Sequence, residues 1–253
     1  MPIKFGSDGW RGIIGEDFTL DNVARIATAI CEWWPEDKDL FAGEIYVGYD
    51  NRELSREAAI HACRVIKFLK PELHPFLAWQ PCPSPYISWA THEMKRPLGI
   101  QITASHNPPN YNGVKLKGGY GGSLLSKDVS VVEGIANSAE LPAVRLPDPK
   151  DSYEVDPEET SYENRMQLFY AGIATQETDA DGPYFAYDAT CGQKLIVDQM
   201  HGATNIYMRV LENVHKVTYR VREIADPTFG GSKPEPLEHL PPELNHRVKD
   251  AND

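Results

Sequence analysis

The sequence predicts an α/β protein built as two consecutive layered α/β domains with mixed sheets, the second one smaller and with an incomplete sheet. Three observations carry that reading. Short apolar strand-like runs alternate with amphipathic helical runs from Glu16 to Thr103. A sparser strand, helix, strand pattern returns between Lys194 and Glu223, after a proline-rich acidic stretch. The length of 253 residues suits two modest cores, since domains commonly run to about 100–150 residues. The expected boundaries are a first domain over 1–145, a connector over 146–158 and a second domain over 159–253.

The first helix is expected in EDFTLDNVARIATAICEWWPE, Glu16 to Glu36. Thr19 or Asp21 can cap its N-terminus, Val23, Ile26, Ala27 and Ile30 recur at helical spacing, and Pro35 ends it. EIYVGYD, Glu44 to Asp50, reads as a strand entering a polar turn, and ELSREAAIHACRVIKFLKPE as a second amphipathic helix closed by Pro71. ELHPFLAW gives a second strand, Tyr86 to Met94 a shorter helix, PLGIQIT a third strand and GVKLK a fourth. A helix from Ser126 to Asn137 completes this unit. PAVRLPDPKDSYEVDPEETSYE then carries four prolines, with six acids and no base from Asp151 to Glu163, the pattern of an exposed connector. The second unit is expected to contain a helix from Glu159 to Tyr170, the strand KLIVD, the loop QMHGAT, a helix from Asn205 to Asn213 and the strand KVTYRVRE.

Composition narrows the function classes. A hydrophobic content of 41% and a charged content of 25% are those of a soluble globular protein, and no apolar run of bilayer-spanning length occurs. MPIKFGSDGW lacks the apolar core of a signal peptide, so a cytoplasmic location is expected. The net charge of -12 disfavours binding to nucleic acid or to an anionic membrane surface. Any phosphate must therefore be held by a local basic site. Cys31, Cys63, Cys82 and Cys191 are widely separated, with no C-x-x-C pair, and read as reduced thiols.

The chemistry concentrates in QITASHNPPNYNGVKLKGGYGG, Gln101 to Gly122. Ser105 ends a strand where backbone N–H groups converge on an anion and a side chain faces a cleft. A serine hydroxyl needs a base, a metal or a phosphoryl group already in place to react, and His106 and Lys115 are candidate proton carriers. Asn112-Gly113 offers a tight turn that returns Lys115 to the serine. A polar turn capping a strand explains the same residues equally well. The glycines of LKGGYGGSL supply positive φ in a turn, and are weak evidence of a phosphate cradle.

TASHNPPNYNGVKL resembles the phosphoserine loop of the α-D-phosphohexomutases, the phosphoglucomutase/phosphomannomutase family. IKFGSDGWRGIIGEDFT resembles the opening signature of the same family, and IVDQMHGAT and DPTFGGSKPEPLEHL resemble its second-domain strand and the segment after it, all in family order. The resemblance implies that Ser105 carries a phosphoryl group, donates it to one hydroxyl of a hexose phosphate and takes the other phosphate back from the bisphosphate. It implies His106 and Lys115 as acid and base, Arg11 as a phosphate-binding fork and Asp8 as the group that orients Arg11. A Mg2+ ion on the Ser105 phosphate and a hexose 1,6-bisphosphate intermediate or activator belong to the same expectation. Glucose 1-phosphate and glucose 6-phosphate are the expected substrate pair.

The family pattern has four domains, and this chain has room for two. The Asp-Gly-Asp-x-Asp-Arg loop that would hold the metal does not follow the PEP segment, and the sugar-recognition and distal phosphate loops are missing as well. The expectation is therefore a fragment of the full enzyme, retaining the serine but lacking much of what turnover needs. The alternative is a non-catalytic sugar-phosphate-binding or mutase-interacting protein of the same fold. Glu177, Asp179 and Asp181 echo the metal loop but precede IVDQMHG. With Gly182 and Asp188 they also fall at positions one, three, five, six and twelve of a calcium loop, against the usual Asp at the first position and Glu at the last. A solvated acidic loop is the preferred reading, and a calcium-responsive module the least favoured function. His201, in a turn leading from strand to helix, is expected to be structural.

Overall fold

A computed structural model describes residues 2–34, 44–139, 141, 154–155, 195–204, 208, 217–231 and 233–234. The first helix, α1 (Leu20–Trp33), starts where Thr19, in extended backbone, accepts the Asn22 N–H at 3.2 Å; Thr19 is the cap, rather than Asp21. It ends at Trp34 (ψ 122°), because a residue before proline is pushed out of helical backbone. Val23, Ile26, Ala27 and Ile30 are buried, as their spacing predicts. In α2 (Ser55–Leu69) the buried face is largely small, with Ala58, Ala59, Ala62 and Cys63 beside Val65 and Ile66, and α1 packs on both α2 and α4 (Ser126–Ala136).

The main sheet runs in the order β1 (Trp10–Ile13), β5 (Tyr111–Gly118), β4 (Leu98–Ile102), β2 (Glu44–Tyr49), β3 (His74–Leu77), β6 (Glu154–Val155). From β4 to β6 neighbours are parallel; β5 is antiparallel to both β4 and β1. Mixed pairing is what the sequence predicts. Val23, Ile26 and Ala62 of the α1/α2 layer face Ile100, Ile102 and Val114, while α3 (Ser84–Glu93) packs on the opposite face of β2, β4 and β5. Covering on both faces explains why β4 is buried at every position. The α3 layer sits close because the sheet carries glycine beneath it: a Cβ on Gly99 would meet Thr91 Oγ1 and Ile87 Cγ2.

Three local expectations change. β1 lies inside the IKFGSDGWRGIIGEDFT signature and is carried by backbone pairing with β5, with too short an apolar run to announce itself. Asn112-Gly113 is not a turn. Both lie within β5, where the buried Asn112 side chain donates to Glu53 O at 2.9 Å and Ser55 Oγ at 2.8 Å, and Gly113 opposes Arg11. Glycine is required there by contact, since a Cβ would lie 3.0 Å from Thr103 O and nearer still to Trp10 O. Finally, Glu154–Val155, expected in an exposed connector, extends the sheet by pairing with the edge of β3, whose unpaired backbone is a template for one more strand.

In the second unit β7 (Leu195–Asp198) and β8 (Val217–Val221) pair in parallel, consistent with the predicted strand, helix, strand order. The expected helix at 159–170, the acidic residues Glu177, Asp179, Asp181 and Asp188, and Cys191 lie outside the described residues, as does most of the expected 205–213 helix. Cys31, Cys63 and Cys82 are free and buried; burial pushes the Cys31 and Cys82 thiols up to about 12 and raises Cys63 as well, so all three are inert thiols at neutral pH.

Candidate functional site

From β2 the chain crosses to β3 on one side, and from β3 it returns to β4 on the other. Strand order thus reverses about β2, and the carboxyl ends of β2 and β4 open the crevice where ligands of α/β sheets bind. Asp50 follows β2 and the Thr103–His106 segment follows β4. Asp50 Oδ2 accepts from Thr103 Oγ1 at 2.6 Å, and Thr103 Oγ1 accepts the Ser105 N–H at 3.0 Å. The other Asp50 oxygen accepts from Ser55 Oγ at 2.6 Å and from the Arg52 N–H at 3.0 Å. Ser105 itself is exposed and has φ +60°, a left-handed conformation that costs a non-glycine residue about 1–2 kcal/mol.

Arg52 supplies the force that holds this conformation. Its buried guanidinium donates four hydrogen bonds to the loop, from Nη1 to the carbonyls of Pro108 (2.8 Å) and Tyr111 (3.0 Å) and from Nη2 to those of Ser105 and Asn107 (both 2.8 Å). Asp50 Oδ2 lies 3.3 Å from Arg52 Nε and balances the buried charge. Burial lowers the Arg52 pKa and Asp50 opposes the shift; an arginine stays charged regardless.

The floor of the crevice is basic. Lys115 and Lys117, two residues apart on β5, share a face and are both buried. Asp8 Oδ2 pairs with Lys115 Nζ at 2.5 Å, and Oδ1 lies 3.6 Å from Lys117 Nζ and accepts from Ser123 Oγ at 3.1 Å. Burial works against the Asp8 anion, but the hydrogen bond and charge of Lys115, helped by Lys117 and Ser123, outweigh it and hold this carboxyl below the usual range. Asp8 therefore orients Lys115, not Arg11 as the sequence suggested. Arg11 extends from β1 to the serine loop instead, donating to Asn107 Oδ1 at 3.0 Å. The reason is register: β1 pairs with β5, which sets the SDGWRG segment alongside Lys115.

Ser105, His106, Lys115 and Asp8 line one cleft of about 890 Å³, whose far wall includes Gln199, Thr204 and Phe229 of the second unit. His106 is exposed, and its ring takes no hydrogen-bond partner among the described residues, leaving it available to a bound group. His201 behaves as expected of a structural residue, with Nδ1 2.8 Å from Ile224 O. Beside it Asp198 grips Arg222 through both carboxylate oxygens.

The family model described as phosphoglucomutase/phosphomannomutase, alpha/beta/alpha domain I, matches residues 2–142, more than half of the chain and all of the Ser105 side of the cleft. The chain belongs to the phosphoglucomutase/phosphomannomutase family. Among its relatives, a probable phosphoglucosamine mutase of Methanothermobacter thermautotrophicus is 31% identical over 168 residues, 60% of this chain and 34% of the relative. A phosphoglucosamine mutase of Thermotoga maritima is 36% identical over 122 residues, 47% of this chain and 26% of the relative. The crystal structure of a putative phosphomannomutase from Thermus thermophilus superposes with a TM-score of 0.75 at 26% identity, covering 99% of this chain and 52% of that one. The chain thus spans about half of that solved structure and 26% and 34% of these two curated relatives.

The Mg2+ implied by the family resemblance finds no carboxylate set here: among the described residues no three acidic, histidine or cysteine side chains cluster for a metal. The two cleft carboxylates are already committed, Asp8 to lysines and Asp50 to Arg52, Ser55 and Thr103. Glu177, Asp179 and Asp181 lie outside the described residues. Sequence reasoning also missed Asp50, Arg52, Thr103 and Lys117. A usable signal was present in GYDNREL, where an acid and an arginine follow directly on a parallel strand, the end of the sheet that binds ligands.

Proposed function

We propose that Ser105 carries a phosphoryl group and exchanges it with the hydroxyls of a hexose phosphate, with glucose 1-phosphate and glucose 6-phosphate as the pair and a hexose 1,6-bisphosphate as the intermediate. The supporting observation is the clamp on the serine loop: Arg52 and Asp50 fix Ser105 in a left-handed conformation at a switch-point crevice, its exposed side chain lining the cleft that Lys115 and His106 also line. In the forward step a sugar hydroxyl oxygen forms a bond to phosphorus, the bond from phosphorus to Ser105 Oγ breaks, and its electron pair stays on Oγ. The sugar hydroxyl proton passes to His106, the Lys115 ammonium gives a proton to the departing Ser105 Oγ, and return of the second phosphate reverses both transfers. Lys115, Lys117 and Arg11 offset charge on the phosphoryl oxygens. No step is routed through a metal, because the described residues provide no set of ligands for one.

Glucosamine and mannose phosphates are the competing substrates, since relatives are named phosphoglucosamine mutase and a neighbouring structure putative phosphomannomutase. We assign the chemistry to the cytoplasm; no described helix is long and apolar enough to cross a membrane. The test presents the phosphorylated chain with glucose, glucosamine and mannose 6-phosphates in turn. Appearance of the matching bisphosphate, with loss of the phosphoryl group from the protein, is the expected result, and a phosphoprotein inert to all three overturns it. A second reading, a non-catalytic sugar-phosphate binder, is favoured by the commitment of both cleft carboxylates to cations. It predicts calorimetric binding of hexose phosphate with no transfer, and measurable transfer removes it.

A further inference from the structure

The guanidinium of Arg52 has its edges engaged by the serine loop and its plane covered by an aromatic ring from the second unit. Arg52 Cζ lies 4.7 Å from the centroid of Phe229, within cation–π range, and Phe229 is only 5% exposed. The Phe229–Gly231 turn that presents this ring is firmly built. Asp226 accepts the Thr228 N–H at 2.8 Å, Thr228 Oγ1 at 2.8 Å and the Gly230 N–H at 3.0 Å, and the Phe229 N–H donates to Asp226 O at 3.0 Å. That turn is tied back to the β7 loop, where the Asp226 N–H donates to His201 O at 3.2 Å and the His201 ring meets Ile224 O. Phe229 holds φ +51°, a conformation that only such surrounding contacts sustain.

We propose that Phe229 is a positioning residue for the Ser105 loop, acting through Arg52: docking of the second unit's Asp226–Gly231 turn covers the guanidinium and locks the loop that presents the serine. Water reaching the open face of Arg52 would compete for the donors that hold Ser105, Asn107, Pro108 and Tyr111. A π face does more than exclude that water, because it also attracts the cation. The order of the loop, and with it the reactivity of Ser105, is therefore coupled to a contact from the second unit. The functional consequence rests on the phosphoryl-carrier reading; the ordering itself does not.

Amide hydrogen exchange on the full chain tests this with three variants, Phe229→Ala, Phe229→Leu and Phe229→Tyr. Leu keeps apolar cover and removes the π face, while Tyr keeps both. The expected result is exchange of the Ser105, Asn107 and Tyr111 amides about tenfold faster in the Leu variant, faster again in Ala and close to the parent in Tyr, with β2 and β4 amides unchanged. Unchanged loop exchange in Phe229→Leu overturns the proposal. So does equal acceleration in Leu and Tyr, or acceleration shared by β2 and β4, which would make Phe229 a general packing residue. Phosphoryl uptake from glucose 1,6-bisphosphate, followed on the same samples, separates the two claims. Loop ordering by Phe229 without any uptake retains this inference and removes the phosphoryl-carrier reading.

Discussion

At the scale of single residues, Arg52 does the most to shape the site. One planar fork satisfies three backbone carbonyls of a loop that no strand or helix organises, and a fourth at Tyr111, where β5 begins. A lysine offers a single ammonium with no fork, so Arg52→Lys leaves several of those carbonyls unpartnered beside a displaced charge. Loss of about 3 kcal/mol in urea unfolding is expected, since each buried carbonyl left without a donor costs about 1–3 kcal/mol. A loss below about 0.5 kcal/mol, the range of ordinary surface substitutions, would show that the loop holds itself. That Ser105, His106 and Lys115 belong together was legible because their side chains carry the motif, and they line one cleft. Arg52 was not, since its partners are main-chain oxygens that leave no mark on residue types. Asp8 was singled out in the sequence and lines the cleft, but its partner was not legible, because the pairing depends on the register between β1 and β5.

Among the elements, the buried strands and amphipathic helices of the first unit followed from apolar periodicity, with the ends of α1 marked by Thr19 and Pro35. Asn112-Gly113 misled for a physical reason. The dipeptide favours hairpin turns in isolation, yet here the asparagine amide is spent inside the core on Glu53 and Ser55, and the glycine admits the close approach of β1. Gly113→Ala should therefore push β1 away from β5 and separate Arg11 from Asn107. A fall of about 2 kcal/mol or more in stability is expected, together with faster exchange of β1 amides than of β2 amides. Equal stability with the parent would mean that β1 is free to shift without cost. β6 escaped the sequence because two residues carry no period; only the open edge of β3 defines it.

For the whole molecule, the cleft joins two units that the sequence separated by a connector. Ser105 and its basic floor come from residues 2–142, and Gln199, Thr204 and Phe229 close the other side. The order of the four family-like segments was readable along the chain, whereas their convergence on one crevice required the reversal of strand order about β2. An acidic protein of net charge -12 concentrates Arg11, Lys115 and Lys117 around a single loop, the kind of local basic site that a phosphate ligand requires. The central claim is that this loop exists to carry a phosphoryl group on one hydroxyl. Incubation with glucose 1,6-bisphosphate followed by peptide mass mapping tests it most directly. The account predicts one added phosphoryl group, located on Ser105 and abolished by Ser105→Ala; a chain that never gains it, or gains it elsewhere, would contradict the account.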